Sequence, residues 1–485
     1  MDKVSRYTSQ VKLNFIIISI AILTSIGTCL FVVDLGIILP ALVIAISCLI
    51  GIQISFIKNP KSIIWVLLFY IFTFIFFTRE LGGGQFGMLQ EGILLLGWLT
   101  LIFTADKHNW RILDNDLVIL FLIWFIISVL EIANPAGASI QGWLQEIRAA
   151  ALYPILVVAV GFLVLKKNSD LNTFFYLIIG LSVVGAIWGI KQLEIGPSAG
   201  EQRFLDEGGN ITHILFGRLR VFSFYSDAGQ FGASQAHIGL VALVLCLGPF
   251  KIWKRILLFI ASMLCIYGML ISGTRGALFA LVIGGFLAIV LSKNFKVMII
   301  GGLVALSFLF VLKYTYIGNS NYQIYRLRTA LDPKEASFNV RLTNQLILRE
   351  YLSTRPFGGG LGVIGVWGLE YNRDKFLSTI APDSYWVKVW AMYGMVGFIL
   401  WFGMMMYILG KCCGIVWNLK NEGLKVKAIA LTSGYAGILF CSYGNEVINT
   451  APSSYIVYIS LVFVFLSPKL EKELRKLDEK SLNIE

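Results

Sequence analysis

Charge is scarce in this chain: only 14% of its 485 residues are charged, against 57% hydrophobic. Soluble globular proteins carry about 25% charged residues, so a soluble fold is excluded. Short alternating apolar–polar segments are absent as well, which excludes a β-barrel. The seven cysteines sit in or beside apolar stretches. None lies in a long polar loop, so neither a disulfide framework nor a zinc site is indicated. No acidic pair on the outer side has metal-ligand spacing, and no Gly-Lys-Ser/Thr follows the glycine cluster at 358–362 to make a P-loop. The expectation is an enzyme without metal or cofactor. No internal repeat and no low-complexity linker divides the chain, so residues 1–485 read as a single integral membrane domain.

What the sequence has instead is one solid apolar block after another, with mean hydropathy +0.78. The fold class that follows is all-α and polytopic, with about fourteen spans of roughly 20 residues. They fall near 13–33, 36–57, 62–78, 87–104, 116–131, 148–165, 171–190, 229–250, 252–272, 276–292, 296–313, 383–410, 427–443 and 453–467. The first block is too long for a signal-peptide core and lacks a cleavage site, so it reads as an uncleaved anchor. The net charge of +12 is no nucleic-acid signature, because most lysines lie in short connections beside the spans. Lys3/Arg6/Lys12, Lys58/Lys61, Lys107/Arg111, Lys166/Lys167, Lys251/Lys254/Arg255, Lys293/Lys296, Lys411/Lys420/Lys425/Lys427 and the tail Lys469–Lys480 all fall on one side if the span count is even. Both termini are then cytoplasmic, and 468–485 is a charged cytoplasmic tail.

Two long polar loops then face outward, 191–228 and 314–382. They break the charge bias, since they hold Arg203, Arg218, Arg220, Arg326, Arg328, Arg341, Arg349, Arg355 and Arg373. In the larger loop Ser337–Thr354 reads as a helix, with Arg341, Gln345 and Arg349 recurring every fourth residue on one face. Arg355-Pro356 stops it, because proline cannot continue a helix and restricts the residue before it.

Several residues then carry two readings each. Arg275, at the outer junction of two spans, is either a snorkelling arginine or a bidentate donor to a diphosphate. Arg218 and Arg220, just before a span, are interfacial anchors or donors of the same kind. Gly358–Gly362 is a plain turn or a nest of N–H groups for an anion. Asp383 is the N-cap of a span, or the base that takes a proton from an incoming sugar hydroxyl. Glu446 and His213 stand in reserve as bases. His237, inside a span, reads as a helix–helix hydrogen-bonding residue. Glu91, Glu131, Glu146 and Arg148 are candidates for interior or interfacial pairs.

These residues together resemble the bacterial O-antigen polymerase/O-antigen ligase (Wzy/WaaL-type) superfamily of membrane glycosyltransferases. Ser272-Gly273-Thr274-Arg275-Gly276 is similar to the family's Ser-x-Ser-Arg-Gly hairpin. Arg341 through Arg355-Pro356-Phe357-Gly358-Gly359-Gly360 is similar to its Arg…Pro-x-x-Gly-x-Gly segment. Asp383-Ser384-Tyr385-Trp386, followed by Tyr393-Gly394-Met395-Val396-Gly397, resembles its His-Asn-x-x-Leu…Gly-x-x-Gly span. One departure matters: ligases place a histidine where this chain has Asp383, so a histidine base is not carried over.

The resemblance implies glycan transfer from an undecaprenyl diphosphate carrier to a sugar hydroxyl, on the outer face of the bacterial cytoplasmic membrane. Arg218, Arg220, Arg275, Arg341 and Arg349 would hold the diphosphate, and Asp383 would activate the acceptor. Tyr385, Trp386 and Trp367 would stack on sugars. The partners implied are lipid-linked glycans, membrane lipids, a chain-length-regulating membrane protein and a flippase. The missing histidine and the long second loop favour a polymerase over a ligase acting on lipid A–core. A polysaccharide flippase is the alternative from another class.

Overall fold

The computed structural model describes residues 38–83, 86–215, 217–317, 325–326, 328, 336–382 and 384–482. Almost all of them are helical, because a helix pairs every backbone group within its own segment, as hydrocarbon demands. Ten stretches of the described residues are long and apolar enough to cross a membrane. The all-α polytopic class stands, and these ten coincide with ten of the fourteen expected spans. Helices at Ile38–Lys58, Gly276–Leu291 and Phe295–Tyr314 sit where spans are expected without being among the ten. The expected span 13–33 lies outside the described residues.

The chain forms two compact units, Met1–Ile63 with Leu96–Thr104, and Ile64–Leu95 with Ala105–Glu485. In the first, α1 (Ile38–Lys58) meets the second half of α3 (Leu89–Phe103), where Gln53 Nε2 donates to Thr100 Oγ1 at 2.9 Å. The helix between them in sequence is α2 (Ser62–Glu80).

The second unit holds everything that concerns function. Its helices are α4 (Asp116–Leu130), α5 (Ile140–Ile147), α6 (Tyr153–Val164) and α7 (Asn168–Glu194). A π-helical turn, Arg148–Leu152, joins α5 to α6. The first long loop carries α8 (Ala199–Phe204), α9 (Asn210–His213) and a small antiparallel ladder. In that ladder β1 (Ile214–Leu215) pairs with β2 (Arg218–Leu219), and Leu215 lies opposite Arg218. Next come α10 (Ala228–Cys246), α11 (Ile252–Ile271), α12 (Gly276–Leu291) and α13 (Phe295–Tyr314). The second loop carries α14 (Ala336–Leu352), close to the expected Ser337–Thr354, and α15 (Val366–Tyr371). The chain ends with α16 (Tyr385–Asn418), α17 (Glu422–Cys441) and α18 (Ser453–Leu482). Helix α18 runs on through Pro468, so the charged tail is helical as far as Leu482.

Helices α10, α17 and α18 form the buried centre, and α12 packs on α10 and α17. Small residues allow this. A Cβ on Gly437 would lie 2.6 Å from the Ala280 carbonyl oxygen, so two backbones meet with nothing between them, as small residues permit in membrane helices.

One break in this regular bundle fixes the large loop. Helix α16 is interrupted at Gly394 (φ 67°, ψ −171°), a conformation essentially confined to glycine. The break frees carbonyls that need donors from outside the helix. Gly359 N–H donates to Ala391 at 2.9 Å and Gly360 N–H to Met392 at 2.9 Å. Val396 N–H donates to Pro356 in return, at 3.2 Å. The glycine cluster is therefore a plug seated in a broken helix. The two N–H groups that an anion nest would use at Gly359 and Gly360 are already bonded.

Candidate active-site cleft

Four helices of the second unit begin at one end of the bundle, and hydrogen bonds between their starts hold them together. Asp227 caps α10: its Oδ1 accepts from Gln230 N at 2.9 Å, and Ser226 Oγ donates to Oδ2 at 2.8 Å. Before α12 the chain reverses at Gly273, and Thr274 Oγ1 donates to the Ala228 carbonyl at 2.7 Å. Ser384 caps α16, accepting from Val387 N at 3.3 Å, while Tyr385 N donates to the Ser442 carbonyl at 2.9 Å. Gln230 Nε2 donates to Ser453 Oγ at the start of α18, at 3.0 Å. Helix N-termini carry partial positive charge and C-termini partial negative charge, and α11 and α17 end here as well, at Ile271 and Cys441.

A polar cleft of about 220 Å³ opens there, lined by Asp227, Gln230, Arg341, Pro382, Asn445 and Glu446 among others. Gly276 lets Asn445 approach, since a Cβ there would lie 2.5 Å from Asn445 Nδ2. Behind the cleft Lys388 Nζ sits 3.1 Å from Glu446 Oε2 and 3.1 Å from Glu146 Oε2. The lysine and Glu146 side chains are 8% and 2% exposed, whereas Glu446 is 29% exposed. Burial, aided by the charges of Glu146 and Asp227, pushes the Glu446 carboxyl above its ordinary value, although Lys388 pulls the other way.

Of the expected diphosphate ligands, Arg341 lines the cleft. Arg275 lies half-buried at the start of α12, next to Gly276. Arg220 reaches the same hairpin: it donates to the Thr212 carbonyl at 3.0 Å and to Thr274 Oγ1 at 3.3 Å. Arg326, from the large loop, donates from Nε to the Gly273 carbonyl at 2.6 Å. Both long loops are thus tied to the Ser272–Gly276 hairpin by arginines. Arg218 on β2 and Arg349 on α14 are exposed.

Asp383 lies outside the described residues, although its neighbour Pro382 lines the cleft. His213 is buried and occupied: Nδ1 lies 2.9 Å from the Gly209 carbonyl, and Nε2 accepts from Ala228 N–H at 3.3 Å. That pattern is one neutral tautomer capping α10, and burial pushes the ring below the ordinary imidazole range. It leaves no ring nitrogen for a substrate, which corrects the reserve-base expectation.

The aromatic expectations also change. Tyr385 is 3% exposed and packs edge-on to Trp401, at 5.5 Å, inside the bundle. Trp386 donates from Nε1 to the Leu439 carbonyl at 3.0 Å and packs between Phe402 and Phe440. Neither presents a ring face to a sugar. Trp367 is half-buried on α15 and stacks on Tyr371 at 6.1 Å. His237 is buried, yet neither ring nitrogen has a hydrogen-bond partner among the described residues, so it does not bond helix to helix as expected.

The paired acids are partly as anticipated. Arg148 meets Glu91 at 2.7 Å, and Asn134 Nδ2 donates to Glu131 at 2.7 Å. Glu146 turns instead to Lys388. Sequence reasoning missed that lysine, although an ionisable residue inside an apolar span is itself a signal of function.

With this geometry in place, comparison with known families is informative. Residues 260–402 match the family model Wzy_C, described as O-antigen ligase. This supports the Wzy/WaaL-type superfamily. The matched stretch runs from within α11 into α16 and contains Arg275, Arg341, the glycine plug and Lys388. An O-antigen ligase- or polymerase-type enzyme of glycosyl transfer is the kind of protein that this Wzy_C match implies. No curated protein matches the chain.

Proposed function

We propose that this protein joins lipid-diphosphate-linked oligosaccharide repeat units into a surface polysaccharide. It would work on the outer face of the bacterial cytoplasmic membrane, with undecaprenyl diphosphate as the carrier. The observation that best supports this reading is the meeting of Arg341 with Asp227 and Glu446 in one polar cleft, at the end of the bundle where four helices begin. A cation and helix N-termini suit a departing diphosphate, and a carboxylate suits the hydroxyl that replaces it.

The lipid diphosphate gains negative charge as the anomeric C–O bond breaks. Donors aimed at that charge form the largest single catalytic contribution in such reactions. Arg341 is the donor in the cleft, with Arg275 and Arg220 grouped at the adjoining hairpin. The sugar hydroxyl of the acceptor gives up its proton to a carboxylate at the cleft. Glu446 lines the cleft, whereas Asp227 there is used as a helix cap; Asp383 is the other candidate, from the sequence.

A polymerase, whose acceptor is a second lipid-linked repeat unit, is favoured over a ligase. An aspartate stands where ligases carry a histidine, and the loop carrying α14 and α15 is long. Incubating membranes that contain the protein with a lipid-linked repeat unit, with and without lipid A–core, separates the readings. A ladder of products without lipid A–core supports polymerase. A single transfer that requires lipid A–core means ligase, and no new glycosidic bond favours a transporter.

A further inference from the structure

The cluster behind the cleft has an arithmetic that the substrate argument does not use. One lysine stands between two carboxylates, each 3.1 Å away, so the group carries one negative charge in excess. Burying such a cluster costs more than burying apolar residues of the same volume, and replacing one by apolar side chains is often neutral or stabilising. Stability therefore gives no reason for it. Its position gives one, since buried charge that perturbs a titrating group beside a cleft marks functional sites. The two acids are not equivalent: Glu146 is sealed in, with Oε1 unpartnered among the described residues, whereas Glu446 reaches the cleft.

Resting on the glycan-transfer reading above, we propose that Lys388 is a positioning residue for Glu446. It holds the carboxylate ionised and turned toward the cleft, and Glu446 is the base that accepts the acceptor's proton. In the step the acceptor oxygen forms a bond to the anomeric carbon, and its proton passes to the Glu446 carboxylate. The bond from the anomeric carbon to the diphosphate oxygen breaks, and its electron pair leaves with the lipid diphosphate. The proton then passes to water through the cleft, which restores the carboxylate. Glu146 holds the far side of Lys388, so the ammonium cannot swing out to neutralise the substrate phosphate.

The charged groups around Glu446 have distinct effects. Lys388 favours its ionised form, whereas Glu146 and Asp227 oppose it. Two substitutions should then act in opposite directions, which mere packing does not produce. Lys388→Met removes the cation and should raise the pH at which Glu446 titrates by about 1–3 pH units, the usual effect of a close opposite charge. Glu146→Gln removes a like charge and should lower it. Lys388→Arg should stay near the wild type.

The measurement is a pH titration of the infrared carboxyl band that disappears in Glu446→Gln, on full-length protein in lipid vesicles. The pH–rate profile of transfer is run beside it. Opposite shifts in both readouts are expected. Shifts of the same sign, or none, overturn the proposal. If Lys388→Met does not insert, Glu146→Gln and Lys388→Arg decide it by the same criterion. If wild-type protein transfers nothing, the function reading fails, while the infrared band still decides the Lys388–Glu446 relation.

Discussion

Arg341 and Glu446, far apart in the sequence, line the same polar cleft. One supplies a fixed positive charge and the other a carboxylate, the two things that displacing a diphosphate by a hydroxyl requires.

The first prediction concerns that arginine. Arg341→Ala should slow transfer by about 10²–10³, the usual cost of losing one donor to a developing charge. Arg341→Lys keeps the charge but loses the planar fork, so it should be impaired as well. Arg349→Ala, two helical turns away and exposed, should transfer at close to the wild-type rate. Initial rates with a lipid-linked donor in vesicles check all three. Equal loss in Arg341→Ala and Arg349→Ala would place the anion site elsewhere on α14.

A second prediction separates the two acids. Ser384, not the expected Asp383, caps α16, so Asp383→Asn should retain most activity if Asp383 is not the base. Glu446→Gln should lose about 10²–10⁴ in rate, the usual share of a general base. The ionised form of Glu446 is the active one, and its carboxyl titrates above the ordinary carboxylate value. Activity should therefore fall on acidification at a higher pH than for an ordinary carboxylate, and hold above it. A large loss in Asp383→Asn with Glu446→Gln unaffected would exchange their roles.

The third prediction is structural. A Cβ on Gly394 would lie 2.0 Å from the Pro356 carbonyl oxygen, on backbone that cannot move cheaply. Gly394→Ala should cost on the order of 1–3 kcal/mol from overpacking, with further strain from its backbone conformation. The apparent unfolding midpoint in detergent should fall, and so should activity, because the plug fixes the loop that carries Arg341. An unchanged midpoint would mean that the glycine plug is not a fixed element.

Much of this was legible in the sequence, and for one reason. Apolar blocks of membrane-span length have a single solution in lipid, so helices such as Ala228–Cys246 and Glu422–Cys441 fall where hydropathy puts them. Arg341 was singled out in the sequence as one of a row of arginines on one helix face, but only folding brings it to the cleft and leaves Arg349 exposed. Lys388 was harder. Its meaning comes from Glu146 and Glu446, which lie far from it in the chain and reach it only after folding. Tyr385 and Trp386 misled because an aromatic pair after an aspartate does not reveal which way its helix faces. The glycines at 358–360 read equally as turn or nest until Gly394 breaks α16 and uses their N–H groups.

The fourth prediction is topological. Ile211 and Val366 are 78% and 69% exposed on the two long loops. In a chain with its seven native cysteines replaced by serine, single cysteines at these positions should react with an impermeant maleimide in intact spheroplasts. Reaction only after lysis would reverse the orientation inferred from the lysines.

The most direct measurement uses purified protein in lipid vesicles with one lipid-diphosphate-linked repeat unit as both donor and acceptor, and the products run on a gel. The account predicts a ladder for the wild type and none for Glu446→Gln, although both bind the lipid-linked donor equally. A ladder of undiminished length and rate from Glu446→Gln would contradict it.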